Sequence, residues 1–386
     1  MRIGVRRPAT IVVLAIALVT AALAVGAEPA YSQPPSPYRI VWDDFQAGFS
    51  ATVTPGAPGA RWFYFSAGPF VGDDGLPTTS TRGLKVVPKG TNPTTRQPAF
   101  TRTLGQEPTN GGLPGGLDHV KWLVYANHIA STSIPGFDAV PGQELACETR
   151  LSGRTFGTAG HPFGAHVRNP NDDLRLGAVA LNAIDFETFI VSDFFVTNER
   201  IYALYERLPF GRPSSGGNLN EYASFTFTVP VATRSVGDQH HLKIAYDRSR
   251  GLMRWLIDGK EVMRMNRLGH RIDRRHMVLD HGGAETLVQP RQLACGMGMF
   301  TLLDASRPPQ GASDPRSEGL VRLSTAPNFY FHTGLGQPTS QTFADPDSRP
   351  SSRLFGQGAE LNARRFVISS RPNDDDRRDL VDPADD

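Results

Sequence analysis

The chain has 386 residues, of which 39% are hydrophobic, 20% charged and 9% aromatic; this is a globular composition that excludes wholesale disorder, a coiled coil and a polytopic membrane protein. Its 39 glycines and 31 prolines exceed average usage and suit many short strands joined by turns rather than a helical fold. The formal charge of +2 includes Arg2, Arg6 and Arg7; without residues 1–27 the balance is 37 basic to 38 acidic side chains, which leaves no basic excess to neutralise phosphates, so no nucleic-acid partner is expected.

In chain order, the N-terminus reads as an export signal: the basic MRIGVRR, an apolar run from Ile11 to Val25 and small residues at Val25-Gly26-Ala27. The apolar run falls short of the ~20 residues that span a bilayer. Cleavage near Ala27 or Ser32 is expected, giving a secreted protein with no membrane attachment once residues 1–27 are removed. Residues 28–37 form a proline-rich leader expected to lack structure. From Tyr38 to about 370, short apolar or alternating runs recur between turn signals: RIVWDDF, ARWFYF, HVKWLVYANHI, ELACETRLSG, AIDFETFIVSDFFV, RIYALYERL, YASFTFTVPV, HHLKIAYD, LMRWLIDGKEVMRM, CGMGMFTLLD and RRFVISS. They are rich in aromatic and branched residues and mostly too short for helices, so one all-β domain over 38–370 is predicted, an antiparallel β-sandwich or barrel. Residues 305–318 and 332–352 are long loops. Residues 371–386, rich in aspartate, read as a solvated tail.

Cys147 and Cys295 are the only cysteines. In an oxidising compartment an even count favours a disulfide, the alternative being two separate buried thiols. Neither lies in a CxxC or near a histidine at metal-ligand spacing, so no zinc is expected.

The most specific run is Gln239-His240-His241-Leu242-Lys243-Ile244-Ala245-Tyr246-Asp247, followed by Met253-Arg254-Trp255-Leu256-Ile257-Asp258-Gly259-Lys260-Glu261-Val262. It predicts two strands joined by a turn at residues 248–251 and a third strand after the Asp258-Gly259 turn. This pattern resembles the back sheet of concanavalin A-like lectins and glucanases, including laminin G modules and family 16 glycoside hydrolases. The runs YERLPFGR, VLDHGG, CGMGMFTLLD and RLFGQGA also resemble a family of secreted actinobacterial proteins of unknown function. The resemblance implies a concanavalin A-like jelly-roll β-sandwich of two antiparallel sheets with long loops, and glycan-facing surfaces, but no established activity.

Chemistry is sought first in Ala183–Val196. As one extended strand it would place Asp185, Glu187, Phe189, Val191 and Asp193 on one face and mostly apolar residues on the other. A tight turn over Thr197–Arg200 would then oppose Val191 to Glu206 and Asp193 to Leu204, so that Tyr202 and Glu206 join the acidic row. Glycoside cleavage needs one ionised and one protonated carboxyl about 5–5.5 Å apart for retention, wider for inversion. Asp185 and Glu187 are the candidate pair, with Glu206 as a third catalytic candidate. Family 16 hydrolases carry Glu, an apolar residue, Asp, two variable positions and Glu; here Asp185-Phe186-Glu187 is followed by Val191 and Asp193, the second glutamate is absent, and Glu206 is its geometric substitute.

Arg61, Trp62, Tyr64, Trp122, Tyr125, Tyr202, Tyr205 and Trp255 are the amphipathic candidates for stacking on sugars over a concave sheet. Trp62, Trp122 and Tyr202, with Asp193, are expected to line the cleft. The spacing of His270, His276 and His281 matches no metal motif. There is no Gly-Xaa-Ser-Xaa-Gly nucleophile and no phosphate-binding glycine loop, so neither a serine hydrolase nor a nucleotide or other cofactor is expected. The sequence thus predicts a secreted carbohydrate-binding protein whose partner is a glycan or other small-molecule ligand. The alternatives are a glycoside hydrolase or polysaccharide lyase working through a carboxylate pair, and a non-carbohydrate enzyme or scaffold.

Overall fold

Runs of branched and aromatic residues punctuated by glycine, proline and aspartate give strands and little else. A computed structural model of the chain describes residues 36–106, 115–306, 318–332, 337–339 and 341–373. The expected signal peptide, most of the leader and the acidic tail from 374 onward lie outside the described residues. The two large sheets are built first from β1 (Tyr38–Asp43), β2 (Ala51–Thr52), β3 (Trp62–Tyr64), β4 (Leu76–Ser80), β5 (Gly83–Val87) and β6 (Val120–Ala126). There follow β7 (Phe137–Asp138), β8 (Gln143–Phe156), β9 (Ala178–Ile184), β10 (Ile190–Val196), β11 (Arg200–Arg207) and β12 (Phe225–Thr233). The last are β13 (His240–Asp247), β14 (Leu252–Ile257), β15 (Lys260–Met265), β16 (Met277–Asp280), β17 (Gln292–Phe300) and β18 (Gly358–Pro372).

An eight-stranded sheet runs β15-β14-β13-β8-β18-β5-β4, with β1 also paired to β18; a ten-stranded sheet runs β2-β3-β6-β17-β9-β10-β11-β12-β16, with β7 also paired to β17. All these pairings are antiparallel except β2 with β3. Between the sheets lies the main core. Leu145, Ile244, Tyr246, Trp255, Phe366 and Ile368 of one sheet meet Trp122, Leu181, Phe194, Tyr205, Phe225 and Met297 of the other. The fold is an all-β sandwich of two antiparallel-rich sheets, the class expected from the sequence. Cys147 on β8 is bonded to Cys295 on β17, a disulfide that joins the two sheets across this core.

Turn chemistry explains the registers. Asp258 and Gly259 have φ of 50° and 77°, the positive values that a two-residue hairpin turn needs. Asp258 also accepts the His241 N–H at 2.8 Å and bonds His240 Nδ1 at 2.7 Å, fastening the turn to β13. The β10–β11 hairpin turns at Thr197–Arg200, whose Thr197 N–H donates to the Arg200 carbonyl at 3.0 Å. Val191 opposes Glu206 and Asp193 opposes Leu204, the register expected from the sequence.

The run 183–196 is a correction, for it is not one strand but the end of β9, a turn over residues 185–189, and β10. The Asp185 carboxylate accepts the N–H groups of Glu187 and Thr188, both at 3.1 Å, and the Thr188 hydroxyl at 2.6 Å. This side-chain-to-backbone capping competes with strand pairing, and Phe189 follows with φ of 61°. The outer face of the ten-stranded sheet therefore carries Val191, Asp193 and Phe195, without Asp185 or Glu187.

Candidate acid–base site

Along the outer face of the ten-stranded sheet, Tyr125 on β6 opposes Gly296 on β17, Gly296 opposes Asn182 on β9, and Asn182 opposes Asp193 on β10. Gly296 is required here: a Cβ would stand 2.5 Å from the Tyr125 ring and 2.3 Å from the Val124 carbonyl, so only glycine lets the tyrosine lie across the sheet. Asn182 Nδ2 donates to Asp193 Oδ2 at 2.6 Å and the Ala183 N–H donates to Oδ1 at 3.1 Å. Glu206 on β11 is a diagonal neighbour of Asp193, within reach across adjacent strands. Thr226, opposite Glu206 on β12, donates its hydroxyl to Glu206 Oε1.

Residues 301–306 leave β17 and cross to β16, where the Ser306 N–H donates to the Val278 carbonyl at 2.8 Å. They bring in Asp304, whose Oδ1 bonds His119 Nε2 at 2.6 Å and whose Oδ2 accepts the Tyr330 hydroxyl at 3.0 Å. Tyr330 is fixed in turn by the N–H groups of Leu323 and Ser324, each 3.0 Å from its oxygen. A chain Tyr330–Asp304–His119 thus lies within electrostatic reach of Glu206, which in turn neighbours Asp193. Phe195, Tyr202, Leu204, Leu302 and Tyr330 form the apolar surround.

Burial sets the charges. Asp193, only 3% exposed, has its carboxyl pushed well above the usual range by desolvation and then by the charge of Glu206, which the bonds from Ala183 and Asn182 do not offset. Desolvation, with a smaller push from Asp304, raises Glu206 from 4.5 to about 7 against the opposing Thr226 bond and His119 charge. Burial opposes the charge on Asp304 and on His119, but each stabilises the other: Asp304 stays below its ordinary value and His119 above its own. Desolvation, then Asp193 and Glu206, keep the Tyr125 hydroxyl protonated. These environments bias Asp193 and Tyr125 toward their neutral forms and His119 and Asp304 toward their charged forms, and place Glu206 at about 7. Glu206 and His119 are only partly buried, His119 keeping 17% of its side chain exposed.

The other expected site residues fall elsewhere. Asp185 is wholly buried in its turn and also accepts the Gln292 amide. Glu187 forms a two-point pair with Arg291, at 2.9 and 2.6 Å, on the surface. Trp62 and Trp122 are 0% exposed and belong to the core between the sheets, so neither lines a cleft; a large apolar ring on a strand's inner face gains most by burial there. Tyr202 is on the outer face, but its hydroxyl donates to Asp172 Oδ1 at 2.9 Å. Of the expected residues, Asp193 and Glu206 come together. His119, Asn182, Asp304 and Tyr330 had no local motif; the alternating glycines of CGMGMF, which leave room for Tyr125 over the sheet, are the one signal that could have marked this face.

A protein of Acanthamoeba polyphaga mimivirus, "Uncharacterized protein L829", is 30% identical over 384 residues, covering 78% of this chain and 83% of the viral one; this relative is not actinobacterial. Among solved structures, an endo-1,3-beta-glucanase from Streptomyces sioyaensis is similar at a TM-score of 0.39 with 12% identity, over 89% of this chain and all of that one. A sialidase is similar at a TM-score of 0.35 with 12% identity over 86% of this chain, which spans only 18% of the sialidase. Residues 42–372 match the model of a family of unknown function, DUF6081, and the chain belongs to that family.

Proposed function

We propose that the protein is a secreted, carbohydrate-active enzyme that performs acid–base chemistry with Glu206. One observation carries this reading: a partly exposed carboxyl raised to about 7 stands beside a histidine–carboxylate pair and a second carboxyl that burial biases toward its neutral form. Environments that push neighbouring titratable groups apart are those that divide acid from base roles, and a group that titrates near neutral pH is suited to both. In this scheme Glu206 transfers the proton, Tyr125 and neutral Asp193 donate hydrogen bonds to substrate oxygens, and His119, oriented by Asp304 and Tyr330, supplies positive charge. That the substrate is a glycan rests on the fold, an analogy rather than a property of the site. Secretion is supported by the disulfide, which persists in oxidising compartments.

A second reading, glycan binding without turnover, is favoured by Asp193, whose burial biases it toward the protonated form that is no nucleophile, while the carboxylate biased toward its ionised form, Asp304, is taken up by His119 and Tyr330. A panel of neutral and uronate polysaccharides, assayed for new reducing ends and for unsaturated products, separates the two. Product release by the wild type, lost in Glu206→Gln, supports the enzyme; binding without product supports the second reading.

A further inference from the structure

The outer face of the eight-stranded sheet has a second concavity. β1 and β5 pair with the same edge of β18, β5 with residues 361–363 and β1 from residue 366 onward. Between them Arg364 and Arg365 interrupt the ladder, and a cavity of about 690 Å3 opens at the gap. The β8–β18 register shifts at this point, with Arg150 opposite Arg364 but Glu148 opposite Val367. Arg365 has φ of 51°, a conformation unfavourable for a side chain of its kind. The bulge puts two consecutive side chains on one face: Arg364 and Arg365 are both exposed, while Ala363 and Phe366 on either side enter the core.

Arg39, Arg82 and Arg150 line the same cavity. Two acids share the lining: Glu148 is matched by His241 at 3.1 Å and Arg39 at 3.6 Å, and Asp44 accepts the Gln46 N–H at 3.0 Å, so the five arginines outnumber the carboxylates. Arg150 and Arg364 directly opposite each other are a like-charge pair, which destabilises a sheet unless an anion lies between. The lining has no Phe, Tyr or Trp, the rings on which single-stranded nucleic acid and neutral sugars chiefly stack. Guanidinium groups instead match carboxylate and sulfate groups through paired hydrogen bonds.

We propose that this notch is a binding site for an acidic oligosaccharide, whose carboxylate or sulfate groups are held by Arg150, Arg364 and Arg365. It is separate from the acid–base site on the other sheet. Only the sugar nature of the ligand rests on the glycan reading; the anion preference stands on the arginines.

Calorimetry on the full, disulfide-bonded protein tests this with four probes: a sulfated heparin hexasaccharide, an oligogalacturonate, neutral laminarihexaose and a single-stranded DNA oligomer. At least one acidic sugar is expected to bind, more weakly as salt rises, with the neutral sugar and DNA well behind. Arg364→Gln with Arg365→Gln is expected to weaken that binding about ten-fold or more. Arg150→Gln, which leaves the bulge intact, is expected to weaken it as well, while Glu206→Gln binds as the wild type does even if it proves inactive. Absence of binding by both acidic sugars, equal binding of the neutral sugar, DNA binding as tight, or arginine variants that bind unchanged would each overturn the proposal.

Discussion

Glu206 and Glu187 show how environment, not residue type, assigns a carboxylate its role. The folded state holds the Glu206 proton more tightly than an unfolded chain does, raising its value from 4.5 to about 7. Its contribution to stability is therefore complete below about pH 4.5 and is lost as pH rises through about 7. Glu206→Gln keeps the shape and removes the charge, so above pH 7 the variant is expected to be more stable than the wild type, by on the order of 3 kcal/mol at most, while below pH 4.5 the two converge. Chemical denaturation at both pH values checks this; a variant less stable at alkaline pH would mean that the ionised carboxylate supports the fold. Glu187 differs. Its pair with Arg291 is exposed on both sides, 32% and 47%, and such pairs are worth about 0–1 kcal/mol. Glu187→Gln is predicted to move the denaturation midpoint within that range and to leave product release unchanged; a large loss of activity would restore it to the catalytic set.

At the scale of elements, the hairpins separate what the sequence made legible from what it hid. Asp258-Gly259 and Thr197–Arg200 are legible because their turn residues are local, and the second sets the register of Glu206 against Val191. The turn at 185–189 was hidden: alternation along AIDFETFIVSDFFV fits one strand, and nothing in the pattern says that Asp185 hydrogen-bonds its own backbone. Asp193 and Glu206 were legible as neighbours for the same reason. His119, Asp304 and Tyr330 were not, since they reach the site from segments far apart in the chain. The structural role of Asp185 is testable. Asp185→Ala removes the acceptor of two turn N–H groups and of the Thr188 hydroxyl and leaves the Gln292 amide only its longer bond to Glu187, at 3.3 Å, and is expected to cost about 2–4 kcal/mol in urea denaturation, with Asp185→Asn costing less. An alanine variant as stable as the wild type would show that the turn does not depend on this carboxylate.

The described residues form two sheets packed face to face and joined through one covalent link. The Cys147–Cys295 bond closes 148 residues of chain and, in the loop-entropy view, constrains the unfolded state by up to roughly 5 kcal/mol. Reduction is predicted to lower the melting temperature by several degrees without changing the strand content seen by circular dichroism at room temperature; identical melts with and without reductant would contradict this. The sandwich itself was readable from composition and turn density. Which face of which sheet carries chemistry was not, because it depends on the segments that fold back over it.

The most direct test is the pH dependence of kcat/KM, measured on whichever polysaccharide of the panel yields product. The wild type is predicted to show a limb with an apparent pKa of about 7, the value that burial gives Glu206, and Glu206→Gln to lose that limb together with about 10²–10⁴ of the rate. A variant that retains the wild-type rate and profile, or a wild type that releases product from no member of the panel, would contradict the assignment of Glu206 as the acid–base group.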